Sequence, residues 1–132
     1  MSQLVTSDQF ITGVLSELIL HGKTEIKLID TIVDQTFERA YSDLVDRIDE
    51  LGVEPDFSLM TNPYHGDSET LRETLYSIRE RGVVAINNPS FKTIEIKMTA
   101  KDADEFLDRS PLPRAFFAEL FDRHFSSLVK LV

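Results

Sequence analysis

The sequence predicts a mostly helical α+β fold closed by a β-hairpin. Three observations predict it. Apolar residues recur every three or four positions along most of the chain. Residues 83–98 break that period and alternate apolar with polar. Gly22, Gly52 and Gly82 each stand just past a periodic run, where helices end.

The first helix starts at Ser7 or Asp8, either of which is a candidate N-cap. Phe10, Ile11, Val14, Leu15, Leu18 and Ile19 form one stripe, and Gly22 ends it. Gly13, inside this helix, costs about 1 kcal/mol relative to Ala and suits a close helix crossing. Residues 24–28 alternate, which allows a short strand. From Ile29 to Leu51 the apolar period is unbroken: Ile32, Val33, Phe37, Ala40, Tyr41, Leu44, Val45 and Ile48 lie along it. The period predicts one helix of roughly 35 Å at 1.5 Å per residue.

Residues 53–66 read as a loop punctuated by Pro55, Pro63 and Gly66, with Phe57, Leu59, Met60 and Tyr64 among them. A third helix runs from Asp67 or Ser68 to Arg81 on the stripe Leu71, Leu75 and Ile78. Val83–Asn87 and Phe91–Met98 are the two strands of the hairpin, with Asn88-Pro89-Ser90 as its turn. Two strands alone are unstable in water, so they must pack on the helices, with residues 25–28 available as a third strand. Thr99 and Asp102 mark another helix start, and Ser110-Pro111 begins a last helix striped with Phe116, Phe117, Leu120, Phe121, Phe125, Leu128 and Val129.

With 132 residues the chain is the size of one domain. Residues 1–108 form its body and 109–132 a C-terminal amphipathic helix packed on that body or on a partner. There is no cysteine, which excludes disulfides and thiol catalysis and fits the cytoplasm. The first residues carry no basic region or long apolar run, so no secretory signal is expected, and no stretch is apolar enough to suggest a membrane partner. The formal charge is −9, and residues 28–56 hold nine acids against two arginines. Such a chain is repelled by phosphate as a whole.

The stretch Leu71 to Val84 resembles the end of a winged helix, in which the third helix runs through an arginine-glycine-valine phrase into the wing. Ile78, Arg81, Gly82 and Val83 are the matching residues, Asn87 to Ser90 correspond to the wing tip, and Thr99, Asp102, Ala103 and Phe106 resemble the phrase that follows it. The resemblance spans residues 8–108 and implies a winged-helix-like fold with a hairpin wing and an appended C-terminal helix. The second helix and the 53–66 connection are both longer than in that superfamily. Within it, the layout is similar to small accessory subunits of SMC-like ATPase complexes: the kite-type subunits of condensin-like machines and the middle components of ABC-three-component antiviral defence systems. That likeness implies binding between larger subunits rather than catalysis.

Chemistry is not indicated. His21, His65 and His124 lie in separate elements with no paired spacing, so no metal site is expected. His21 is better read as a favourable dipole partner at a helix C-terminus. No nucleophile elbow or glycine-rich phosphate loop occurs, and neither a catalytic residue nor a cofactor is expected. The expected function is therefore a non-catalytic protein-interaction subunit or homodimer. Its candidate contact residues are Phe116, Leu120, Phe125, Leu128 and Val129 on the last helix, with Asp43, Asp46 and Glu50 on the acidic second one. The alternative is a DNA-binding regulator using Thr70, Arg72 and Arg79 on the third helix and Lys92 and Lys97 on the wing. Four acids against three arginines over residues 67–81 disfavour it, so nucleic acid ranks second to protein as a partner. No small-molecule substrate is evident, and a sensor pocket beneath the 53–66 loop is the remaining alternative.

Overall fold

Thr6, one residue before the expected caps, starts the first helix. Its hydroxyl accepts from the Gln9 amide while the Gln9 side chain accepts from the Thr6 amide, a reciprocal capping box. The computed structural model describes residues 3–27, 32–61, 63–64, 68–86 and 93–126. Helix α1, Ser7–Leu20, ends at His21 with Gly22 in the left-handed region at φ 84°. Every residue from Phe10 to Leu18 is buried, so α1 is the central helix, covered by α4, α5 and α6. A single stripe understates this. The polar residues are accommodated locally: Ser16 Oγ donates to the Thr12 carbonyl at 2.8 Å, and Glu17 lies 3.2 Å from His21 Nε2.

Helix α2 spans Ile32–Asp46, and a single turn, α3, spans Ile48–Leu51. The expected continuous helix is therefore broken at Arg47, which sits at φ −118°, ψ 18°. Its guanidinium hydrogen-bonds Glu50 and Glu119 and lies over the Phe116 ring, 5.2 Å from its centroid. Glu50 first, then Glu119, raise the Arg47 pKa above its ordinary value, so it stays charged. The apolar period runs through the break, which is why the sequence does not reveal it. Gly52 at φ 64° then turns the chain into β3, Val53–Pro55.

β3 lies within the stretch read as a loop. It pairs in parallel with β1, Gln3–Val5, in the register Gln3↔Val53 and Val5↔Pro55. Neither strand was expected: three residues show no alternation, and a parallel pairing has no local turn signal. The strands of the other sheet follow the sequence expectation, and the expected turn Asn88-Pro89-Ser90 lies outside the described residues. β4, Val84–Ile86, and β5, Thr93–Ile96, form the antiparallel pair, and β2, Glu25–Lys27, adds to the far edge of β5. The order is β2-β5-β4, with Ile26, Val84, Ile94 and Ile96 buried.

Helix α4 spans Glu69–Glu80, capped by the Ser68 hydroxyl on the Leu71 amide. Helix α5, Ala100–Arg109, opens with a Thr99–Asp102 capping box. It stops at Ser110, held extended before Pro111. The last helix does not begin at Ser110-Pro111. Pro113 is its N-cap, α6 runs Arg114–Leu120, and a π-helical turn follows at Phe121–Phe125. That turn keeps both Phe121 and Phe125 buried. The Phe117 ring rests on Gly13 of α1, filling the space a Cβ there would need. The core thus continues from α1 into α6 and the π turn.

Candidate interaction surfaces

Three side chains on one stripe of α2 hold the chain that follows β3. Asp34, Glu38 and Tyr41 are spaced four and three apart and so share a face. Phe57, Thr61 and Ser68 meet it in reverse order along the helix. Tyr41 Oη donates to the Phe57 carbonyl at 2.7 Å. The Thr61 amide donates to Glu38 at 2.7 Å, and its hydroxyl lies 3.1 Å from the same carboxylate. The Ser68 amide donates to Asp34 at 3.3 Å, and Arg72 adds bonds of 3.1 and 2.6 Å. Asp34 is fully buried. Its charge is compensated by the Arg72 guanidinium and one amide.

This strap leaves Leu59 in the core and Met60 and Tyr64 exposed, at 70% and 90%. Phe57 packs its ring 5.7 Å from Phe10 and 5.2 Å from Tyr41. Tyr41→Phe removes the bond to the Phe57 carbonyl, leaving that carbonyl to find water. The expected cost is about 1 kcal/mol by chemical denaturation, with little change in the denaturant slope. A loss within error of zero would show that the strap is held without it.

Much of the expected acidic docking face is therefore occupied. Asp34 and Glu38 anchor the strap, and Asp43 lies 2.8 Å from His124 Nε2 and 3.5 Å from Arg123. Glu50 pairs with Arg47 at 3.1 Å on the surface, and Asp46 remains exposed.

The aromatic surface expected on the last helix is corrected by burial. Phe116, Leu120 and Phe125 are 1–2% exposed and close the chain's own core. Phe125 meets Phe37 edge-on at 5.0 Å, and His21 stacks on Phe121 at 3.7 Å. Leu128 and Val129 lie outside the described residues.

The alternative set fares differently residue by residue. Arg72 is turned onto Asp34, and the Thr70 carbonyl accepts from Thr74. Arg79 is more accessible, 3.3 Å from Glu80 and 5.2 Å from the Tyr76 ring centroid. Lys97 lies 3.0 Å from Glu95, which stands opposite Glu25 across the β2–β5 pair, so it relieves a like-charge pairing. Lys92 lies outside the described residues.

A cleft of about 380 Å³ opens between the start of α1, the α4–β4 turn and the start of α5. Asp8, Thr12, Arg81, Met98, Asp102 and Phe106 are among its lining. The sequence did not mark these residues as a group, because they come from three separated segments. It lies apart from the 53–66 segment where a sensor pocket was considered. Among the described residues no helix is long and apolar enough to cross a membrane.

No family model, curated protein or solved structure matches this chain. Its function is therefore argued from its own surfaces.

Proposed function

We propose that this chain is a non-catalytic, cytoplasmic interaction subunit, a winged-helix body that docks on a larger protein such as an SMC-like ATPase. The observation that carries the reading is the use of α4. In a winged helix this is the element that would enter a DNA groove, and here its Arg72 is spent on buried Asp34. Its exposed positions include Glu69, Glu73 and Glu80. A helix so arranged repels a duplex and suits a protein surface. The helix order, the β2-β5-β4 sheet and the antiparallel β4–β5 pair support the winged-helix body. Met60 and Tyr64, exposed on the strap either side of Thr61, offer apolar contact.

The test is mass in solution and co-purification. Light scattering on the tagged chain, with and without the products of its neighbouring genes, is expected to give a species well above 15.1 kDa. A monomer that recovers no such partner overturns the reading. The second reading, a DNA-binding regulator, is favoured only by exposed Arg79 and Arg81 at the end of α4. It requires salt-dependent binding to duplex that Arg79→Ala weakens.

A further inference from the structure

We propose that the outer edge of β1 takes an extended, basic segment of the partner protein as an added strand; this deepens the interaction-subunit reading and rests on it. The first observation is direction. The Gln3 amide donates to the Gly52 carbonyl at 3.0 Å, and the Asp56 amide donates to the Val5 carbonyl at 3.0 Å. Gln3 and Val5 therefore turn their main-chain groups toward β3. Such groups alternate from side to side along a strand, so Leu4 turns its N–H and C=O the other way. No third strand meets them: β1 and β3 form a sheet of two. A sheet this small has unpaired edges, and an unpaired edge is a template for another chain. Only one edge is open to that use. On β3 the outward positions are Val53 and Pro55, and Pro55 has no N–H to offer.

The side chains say what kind of segment. The register sets Leu4 beside Glu54. Val5 and Val53 are buried on the inner face of the pair, whereas Leu4, 54% exposed, and Glu54 stand on the outer face. A strand laid along Leu4 therefore extends an apolar face on one side and meets a carboxylate on the other. Two more carboxylates flank it: Asp49 in α3 and Asp56 just after β3 are both exposed. Among the described residues Asp49, Glu54 and Asp56 have no side-chain hydrogen bond or ion pair. The cation closest to them in sequence, Arg47, is taken by Glu50 and Glu119. Opposite charges on neighbouring strands attract and like charges repel. The fitting occupant thus alternates Lys or Arg on the outer face with apolar residues on the inner one, and main-chain bonds to Leu4 fix its register. A second copy of this chain would bring the same carboxylates along with its own β1, so self-pairing is disfavoured.

The test titrates the isotope-labelled full chain with the end-blocked peptide Lys-Val-Lys-Val-Lys and, in parallel, with Glu-Val-Glu-Val-Glu. Amide signals of Leu4 and Glu54 should move with the lysine peptide, which should bind at least about tenfold more tightly than the glutamate one. Glu54→Lys, a change at an exposed position, should narrow that preference at least about threefold. Leu4→Pro removes an N–H that faces away from β3, so it should abolish peptide binding. It should also melt higher than Gln3→Pro, which loses the bond to Gly52. The assignment is overturned if the Leu4 and Glu54 signals stay still, if the two peptides bind equally, or if Leu4→Pro binds like the wild type. A dimer of the free chain that Leu4→Pro abolishes overturns it too, since the edge then belongs to a second copy. The two readings separate in capture experiments with a cognate partner. Equal capture by the wild type, Leu4→Pro and Glu54→Lys retains the subunit reading and removes the edge. Peptide binding at Leu4 by a chain that captures no partner retains the edge as a basic-strand site and removes the subunit.

Discussion

Arg72→Ala is expected to destabilise the protein by about 3 kcal/mol, the lower end of the cost of breaking a buried pair from one side. Asp34 has no exposed side-chain surface, and Arg72 supplies two of its hydrogen bonds. Truncation leaves the carboxylate, among the described residues, with the Ser68 amide at 3.3 Å as its remaining donor. The melting temperature should fall by roughly 10 °C for a domain of this size. The paired change Asp34→Asn with Arg72→Leu should recover much of the loss, since it removes both charges and keeps an acceptor for Ser68. A single variant that melts like the wild type would show that the pair carries no weight. The result also bears on function. Loss of duplex binding in Arg72→Ala would not identify a DNA contact, because α4 loses its anchor to α2 in the same variant. Arg79→Ala is the informative change.

Gly13→Ala is expected to destabilise the protein by about 2 kcal/mol. Helix propensity alone gives the opposite sign, a gain of about 1 kcal/mol. The decisive fact is the Phe117 ring, which lies inside the contact radius of a Cβ at position 13 and is itself 1% exposed. The ring cannot swing to water. It must push into Phe10 and Phe116, whose centroids lie 6.5 and 6.0 Å away. Overpacking of this kind costs about 1–3 kcal/mol, and the depth of overlap here places it at or beyond the upper end. Phe117→Leu should relieve the clash, so the double variant should be more stable than the sum of the singles predicts. An alanine variant as stable as the wild type would sink the account of the crossing.

The sequence made the helices and the hairpin legible where periodicity is local. The Ile94 and Ile96 alternation identified β5, and Thr99–Asp102 identified the start of α5. It missed what depends on distant partners. Arg47 breaks α2 through contacts with Glu119 and Phe116, which lie some seventy positions on. The β1–β3 pair had no signal of its own. The candidate surfaces were less legible still. Amphipathic periodicity separates apolar from polar residues, yet it does not say which polar residues are occupied. Asp43, Asp46 and Glu50 read as one open acidic face, yet Asp43 is taken by His124 and Glu50 by Arg47. In the same way, Phe116, Leu120 and Phe125 read as surplus apolar surface because the depth of α1 was not visible.

The parallel pairing of Gln3 with Val53 has a consequence for the order in which the chain is assembled. Joining positions fifty apart carries a closure entropy that local contacts avoid, and topologies rich in such joins reach the native state slowly. During synthesis the amino-terminal strand has no mate until Pro55 has left the ribosome. Until then α1 must wait with its apolar sides uncovered, and another of its covers, α6, follows about a hundred residues further along the chain. A central helix made well before the helices that enclose it is a natural client for chaperones or for a partner already in place.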